Sequence, residues 1–556
     1  MDKRSFWILG LFFVAFIGWT YYFQQNPELT QPEAAGAPAG EAPPAAPIAG
    51  QSAILPDLAV PTKTVTVETP KYVAVFHERG GRLASFKLKN FSKRKLNPTL
   101  PDEMMNMVAQ PDPADWPMRL TMSDPGATDL KLAPFLADRD ALTLGEGQNG
   151  QILMTYTDPG GLVITRTLTF SADSYLIGQR VTLTNGSGQA YGGEVTMRLN
   201  SAPFAPDNER AEVMAAYLDN KLMQETPKSA AKALDKKGNI RKADWAGYMD
   251  QYFLTVLVEP GKSENEASEG VDGQVAAVKL KAFLQDHRGV AVNASRSLNL
   301  PPNTKVSYDF NFYYGPKDES DLKTAGHSLI KSIDFGWLDI LAKPLAKLLR
   351  ILYGVVGNYG VAIIIVTFLI KILLWPLTAK SYRSMKEMQK LGPKVTKLRE
   401  KYGDDKEAMN REIMQLYKTY KVNPLGGCLP MLLQIPFFIA FYQVLYNLLD
   451  LRGAPFMLWI KDLAAPDRLG SFDFTIPFYA PPTGIPVLTL LMGASMVLQQ
   501  KMTPNTMGDP MQARMMMLMP IFFTFILINF PAGLVLYWLV NNILSIAQQK
   551  IINRAK

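Results

Sequence analysis

Seven side chains stand out because their surroundings are apolar. Lys371 interrupts the stretch IIIVTFLIKILLWP (Ile363 to Pro376), and Thr367 lies one turn before it. Gln434 sits in the next apolar run, while Trp538, Asn541, Asn542 and Ser545 share much of one face of the last. A lysine at the centre of a membrane-spanning helix costs roughly 2.5–3.5 kcal/mol, so it faces a wet interior or reaches back to the surface. Lys371 lies about 7 Å from Pro376 at about 1.5 Å per residue, within reach of the second option. A polar set drawn from three helices suits a partly hydrated cavity between them, or else hydrogen-bonding glue that joins them. The apolar runs hold no Asp or Glu, which leaves Lys371 without an ion-pair partner at its depth and a proton relay without a carboxylate.

Other chemistry has little material. One cysteine, Cys428, rules out intrachain disulfides, and three histidines are too few to suggest a zinc site. The LGGC at Leu425 to Cys428 superficially matches an acylation box but opens an internal apolar segment, so Cys428 reads as an ordinary buried thiol. No nucleophile or paired-carboxylate motif rises above chance, and His77 and His327 read as surface or packing residues. No catalytic residue, metal or cofactor is expected.

The elements that would position the seven residues come from two unlike halves. The chain has 556 residues, 47% hydrophobic and 19% charged, an average between globular and membrane-embedded composition. Up to about Ile330 it is polar and rich in turn residues; from Ile351 to Ile552 apolar runs recur at the length a ~30 Å hydrocarbon layer requires. Five spans are expected at 353–377, 425–449, 485–500, 515–530 and 532–549, with Pro531 and Gly533 turning between the last two. A sixth lies in residues 1–24, where Lys3 and Arg4 precede the run Phe6 to Phe23. Its length and its closing Trp19, Tyr21 and Tyr22 favour an uncleaved anchor over a signal peptide. Residues 25–55 are Ala/Pro-rich and read as a disordered spacer. Residues 56–330 carry period-two alternation, as in Leu162, Ile164, Leu168 and Phe170, or Val306, Tyr308, Phe310, Phe312 and Tyr314, and imply a β-sandwich. Residues 331–352 place leucines on one side and Lys343, Lys347 and Arg350 on the other, the pattern of an interfacial helix or of one packed on the β-domain.

The segment 380–421 carries twelve Lys/Arg against six Asp/Glu, which marks it as cytoplasmic. The connection after the second core span, Asp450 to Gly484, holds only Arg452, Lys461 and Arg468 and belongs outside. Alternation then puts both termini inside and the β-domain outside. Within the basic segment, Met385 and Leu398 fall on one apolar stripe and Ile413 on another, so two helices should pair, with Gly403 closing the first and Asp404 with Glu407 forming a capping box for the second. Such a hairpin suits anionic lipid headgroups or ribosomal RNA by charge, or is a topology signal alone. The 26 methionines, crowded in MQARMMMLMPIFF, suit a surface that accepts varied apolar partners, or gap-filling.

These blocks carry a resemblance. NYGVAIIIVTFLIKILLWPLTAKSYRSMKEMQ, YGDDKEAMNREIMQLYK, VNPLGGCLPMLLQIPFF, APFMLWIKDL and DPMQARMMMLMPIFFTFILINFPAGLVLYWLVNN resemble the Oxa/Alb family of membrane protein insertases, in the YidC type of Gram-negative bacteria, over essentially Phe335 to Ile552. The resemblance implies a polytopic α-helical membrane protein of six transmembrane helices, with a five-helix core around a hydrophilic groove open to cytoplasm and lipid, and an all-β periplasmic domain of β-supersandwich form. It implies a non-enzymatic insertase and chaperone of the inner membrane. Its implied partners are nascent membrane proteins, Sec translocon components, the ribosome, the signal recognition particle receptor and lipids, and it implies a monomer. Many relatives have arginine where this chain has Lys371, which keeps the charge and loses the bidentate contact. Some have tyrosine at the place of Trp538. The long basic C-terminal tail of some members is missing from this sequence, which weakens tail-mediated ribosome binding. The rivals are a secondary transporter, for which two related halves and midplane coupling residues are wanting, and a membrane-tethered carbohydrate-processing protein working through its β-domain.

Overall fold

The protein is described from a computed structural model over residues 63–92, 103–108, 113–123, 130–131, 133–201, 213–218, 220–225, 243–260, 290–403, 405–420, 422, 429–472, 474, 479, 483–502 and 510–554. The expected anchor 1–24 and spacer 25–55, and Asp404 and Cys428, lie outside the described residues.

Strands form where alternation is strongest. Leu162–Ser171 buries Leu162, Ile164, Leu168 and Phe170, and Lys305–Pro316 buries Phe310, Phe312 and Tyr314. Among the described residues one sheet has nine strands, in the order Lys221–Glu225, Val213–Leu218, Ala243–Met249, Phe253–Val258, Lys305–Pro316, Leu176–Asn185, Leu162–Ser171, Asn149–Thr157 and Leu136–Ala137. A five-stranded sheet runs Met104–Asn106, Arg82–Ser92, Tyr72–His77, Thr64–Glu68 and Ala141–Thr143. A three-stranded sheet runs Val290–Leu300, Tyr191–Ser201 and Arg119–Met122. Rings from the first two interlock: Phe76 meets Phe170 edge-on at 5.7 Å, and Phe86 stacks on Tyr314 at 5.3 Å. Each such side chain, fully buried, contributes about 1.5–3 kcal/mol, so the sandwich follows from which face each strand makes apolar.

One inward position breaks the pattern. Arg166 is wholly buried between Ile164 and Leu168. Its Nη1 donates to the Gly80 carbonyl at 2.6 Å and its Nη2 to that of Met118 at 2.9 Å, and the Gln179 side-chain oxygen accepts from Nε at 2.7 Å. Burial, with Arg82 nearby, pushes the guanidinium down to about 9. The alternation count passes over this residue because it scores only apolar types; a planar fork of five donors meets the core's demand for satisfied polar atoms another way.

Gly247, in Ala243–Met249, has a Cβ position that would overlap the Thr255 carbonyl and come within 2.7 Å of the Val256 Cα on the adjacent strand. Backbone cannot swing aside as a side chain can. Gly247→Ala is therefore expected to destabilise the domain by about 1–3 kcal/mol, read as a lower thermal midpoint of the full chain; an unchanged midpoint would show that the sheet absorbs the methyl.

The short helix α1 (Glu319–Ala325), capped by Asp318, leads from the sandwich to the helical half. There follow α2 (Asp339–Val356), α3 (Tyr359–Lys390), α4 (Gly392–Tyr402), α5 (Lys406–Thr419), α6 (Leu429–Asn447), α7 (Val487–Met502), α8 (Pro510–Leu527) and α9 (Ala532–Arg554). At the junction Arg350 of α2 bonds both Glu319 and, at 2.8 Å, Asp450, while the Gln251 amide donates to the Tyr446 carbonyl at the end of α6. Burial pushes the nearby Lys317 ammonium down to about 8, against the opposing pull of Asp250 and Asp334.

Boundaries differ from the expected ones for local reasons. The helix expected to lie in the interface starts at Asp339, not 331, and packs Leu345, Ala346 and Leu349 against α3 and α6 rather than against the sandwich. The helix expected as the first core span starts at Tyr359, not 353: Gly357, at φ 67°, ends α2, and Asn358 caps α3 by accepting from Val361 N. α3 then runs through Pro376 to Lys390, so the first part of the expected hairpin 380–421 is a continuation of the same helix, and the break comes at Gly392-Pro393. Among the described residues α3 is the helix long and apolar enough to cross a bilayer, with Met517–Leu527 a shorter apolar stretch.

The hairpin's cap also moves. Asp405, not Asp404, caps α5 by accepting from Ala408 N at 3.0 Å, and Glu407 is left exposed one residue too early for a capping box. Gly403 takes φ 45°, and Asp405 N donates to the Tyr402 carbonyl, so the turn uses one more residue than the spacing assumed. The buried contacts of the hairpin are Met388 at the end of α3, Leu391 at the bend and Val395 of α4 against Tyr417 of α5, with Ile413 and Leu416 at the edge. Met385 is buried, and Leu398 is half-buried outside that cluster.

Candidate functional site

α3 and α9 lie side by side in the same direction, and their register is constant. Gly533 meets Ile363, Lys371 bonds Asn541 and Thr378 bonds Gln548; each pair differs by 170 residues (533 − 363, 541 − 371, 548 − 378). In a parallel pair equal steps along both helices keep the same faces together, and the steps of eight and seven residues are close to whole turns. The result is a seam that starts with small and apolar contacts and becomes polar.

At its centre Lys371 is 8% exposed, and its Nζ donates to Asn541 Oδ1 at 3.0 Å and to Ser545 Oγ at 2.7 Å. Ser545 Oγ in turn donates to the Asn541 carbonyl one turn back, and the Tyr382 hydroxyl also bonds Ser545. Lys371 makes no salt bridge among the described residues, although an ammonium has three donors and these side chains take two. The charge is thus held between two helices by neutral acceptors, not extended along α3 toward its proline. Two turns on, the fully buried Gln548 donates to Thr378 Oγ1 at 2.7 Å.

The other four expected residues each have neighbours of their own. Asn542, one position round α9, donates to Ser495 Oγ of α7 at 3.0 Å and ties those two helices. Gln434 is half-buried and bonds the Tyr537 hydroxyl. Thr367 is 1% exposed, its hydroxyl spent on the Ile363 carbonyl of its own helix at 2.7 Å. Trp538 is half-buried between Phe438, edge-on at 4.6 Å, and Phe523 at 6.0 Å. The structure therefore joins Lys371, Asn541 and Ser545 in one cluster and gives Gln434, Asn542, Thr367 and Trp538 other neighbours. Thr378 and Gln548, seven residues beyond Lys371 and Asn541, extend the same period and could have been found by following it.

At the starts of α3 and α9 the loop between α6 and α7 holds both termini. Asn358 Nδ2 donates to the Phe456 carbonyl at 2.9 Å, and Gly360 packs against the Phe456 ring. The Leu463 and Ala465 carbonyls accept from Gly533 N at 2.9 Å and Ala532 N at 2.7 Å at the start of α9. The seam is tied at that end, and its polar half lies toward the other.

Both halves find relatives in the same place. Residues 351–556 match the family described as 60Kd inner membrane protein, and residues 64–348 match the YidC periplasmic domain. The membrane protein insertase YidC of Pelobacter propionicus is 41% identical over 570 residues, covering 100% of this chain and 99% of the relative. The chain belongs to the YidC family of membrane protein insertases. The YidC of Syntrophobacter fumaroxidans is 40% identical over 491 residues, covering 88% of this chain and 86% of its own. A crystal structure of an active YidC insertase with its first transmembrane domain resolved matches 89% of this chain and 93% of that one, at 18% identity and a TM-score of 0.38. Membership accounts for the order of parts, a β-rich periplasmic-type domain followed by helices, and for an inner-membrane location.

Proposed function

We infer that the chain inserts hydrophobic segments of nascent membrane proteins into the inner membrane, without covalent chemistry, and that the polar seam between α3 and α9 is where a client's polar flank is received. The observation that carries the site is Lys371: a buried charge with two neutral acceptors and no carboxylate at its depth keeps attraction available to an incoming acid. The asymmetry of the seam supports reception from the cytoplasmic side, with the sandwich outside and the hairpin inside. α7, at 16 residues about 24 Å long, is shorter than a ~30 Å hydrocarbon layer, so the bilayer beside it would thin and the polar flank would have less to cross. The client's apolar helix would leave sideways into lipid.

Stalled nascent membrane proteins crosslinked to probes at Lys371 and Trp538 should label. A probe at the buried Thr367 should label only if α3 and α9 separate. Labelling confined to exposed α3 positions such as Phe368 and Ile372, with none at Lys371, would place the client on the lipid face and overturn the seam.

The hairpin 380–421 fits a recruitment role toward the ribosome, the signal recognition particle receptor, Sec translocon components or anionic lipid, since its α4–α5 core exceeds what a topology signal needs. Val395→Asp with Tyr417→Asp should unpair α4 and α5, removing about 2–5 kcal/mol of packing, and reduce client delivery while the protein still accumulates in the membrane. Normal insertion at normal protein levels would reduce the hairpin to a topology signal.

A further inference from the structure

The connection from α6 to α7 ends in a small antiparallel ribbon, in which Leu469 pairs with Ile485 and Phe472 with Thr483. Two of its polar side chains, Thr483 and Tyr479, turn inward. Thr483 Oγ1 donates to the Phe472 carbonyl at 3.0 Å and the Phe474 carbonyl at 2.7 Å, and the Tyr479 hydroxyl donates to the Gly484 carbonyl. Its apolar side chains turn outward: Leu469, Phe472 and Ile485 are 41–44% exposed and Phe474 is 59% exposed, with the two phenyl rings stacked at 5.5 Å. From Leu469 to Ile485 the sequence has a single charged residue, Asp473. An extramembrane loop in water shows the opposite arrangement, because exposed aromatic surface gains nothing there and bare carbonyls cost little.

Two features identify what covers this face. Ile485 is followed within one turn and a half by Leu490 and Leu491 of α7, each about half exposed, so the apolar surface is continuous from ribbon to helix. α7 alone falls short of the hydrocarbon thickness at about 24 Å against ~30 Å. Its two strands pair with each other at Leu469–Ile485 and Phe472–Thr483, in keeping with the internal pairing that hydrocarbon favours. We propose that the paired strands Leu469–Phe472 and Thr483–Ile485, with Phe474, are immersed in the acyl region of the outer leaflet, where Phe472 and Phe474 extend the lipid-facing surface of the short helix α7. The proposal rests on the reading of α7 as a membrane span.

The single cysteine makes the test direct. In a Cys428→Ser background, Phe472→Cys, Phe474→Cys, Leu490→Cys and Glu146→Cys variants of the full chain are labelled with a nitroxide and reconstituted in phosphatidylethanolamine/phosphatidylglycerol vesicles. The ratio of collisions with lipid-soluble oxygen to collisions with an aqueous nickel chelate should be several-fold higher at 472 and 474 than at 146, and close to that at 490. A high ratio at 490 with a ratio at 472 and 474 like that at 146 overturns the proposal and leaves α7 a span. Labels at 472 and 474 shielded from both reagents also overturn it, because protein and not lipid would then cover them. A low ratio at 490 itself would instead remove the reading of α7 on which the ribbon depends.

Discussion

Replacing Lys371 by methionine is expected to slow insertion of clients whose translocated flanks carry Asp or Glu, and to leave clients with neutral flanks close to normal. Methionine keeps the length and the packing of the lysine stem and removes only the charge, whereas Lys371→Ala also opens a hole beside Asn541 and Ser545. At a separation of about 4–8 Å and an effective dielectric near 20, the attraction to a carboxylate is on the order of 2–4 kcal/mol before desolvation. If about a third to a half of that survives, the ratio of acidic to neutral insertion rates falls roughly tenfold, since 1.4 kcal/mol is a factor of ten. Lys371→Arg should retain most of the discrimination, because the charge stays and the guanidinium can still reach both acceptors. Lys371→Glu should be worst for acidic clients. Equal losses for acidic and neutral clients in Lys371→Met would mean that Lys371 joins α3 to α9 and does not steer the client.

That prediction was partly legible in the sequence. A lone cation in an apolar run, with amide and hydroxyl residues on a later run, singles out Lys371, Asn541 and Ser545 because apolar context makes each polar residue conspicuous. Pairing is less legible than presence. Asn542 is adjacent to Asn541 in sequence, yet a helix turns 100° per residue, and that single step carries it from α3 to Ser495 of α7. Gln434 and Thr367 are polar at the right depth, but a tyrosine hydroxyl in one case and the helix's own carbonyl in the other take up their hydrogen bonds. The β-sandwich was readable from period-two alternation, and Arg166 was not, because its function in the core depends on carbonyls supplied by residues 80 and 118, distant in sequence. Helix ends were misplaced where one glycine or asparagine decides them, as at Gly357–Asn358 and at Gly403.

Least legible of all was the loop between α6 and α7, where Asp467 and Arg468 look like an ordinary charged pair in a polar connection. Asp467 is 2% exposed; its Oδ1 accepts from the Trp459 indole at 2.6 Å, and its Oδ2 accepts from the first amides of α7, Leu488 at 2.5 Å and Thr489 at 3.2 Å. Arg468 Nη1 donates to the Ile528 carbonyl just past the end of α8 at 2.8 Å, and Nη2 donates to Asn529 Oδ1. Each charge thus sits at the helix end that attracts it, the carboxylate at an N-terminus and the guanidinium at a C-terminus, and two neighbouring residues fix the α7–α8 pair. Asp467→Ala should remove the cap, about 0.5–2 kcal/mol, and also leave the indole N–H without its acceptor, about 1–3 kcal/mol more. Asp467→Asn should cost less but not nothing, because a side-chain amide has one oxygen to offer three donors. The consequence would reach the seam, since α7 holds α9 through Ser495 and Asn542. A Ser495→Cys/Asn542→Cys pair in the Cys428→Ser background should form a disulfide readily, and adding Asp467→Ala should slow that crosslink and lower the thermal midpoint. If both stay unchanged, Asp467 is not needed to keep α7 in register with α9.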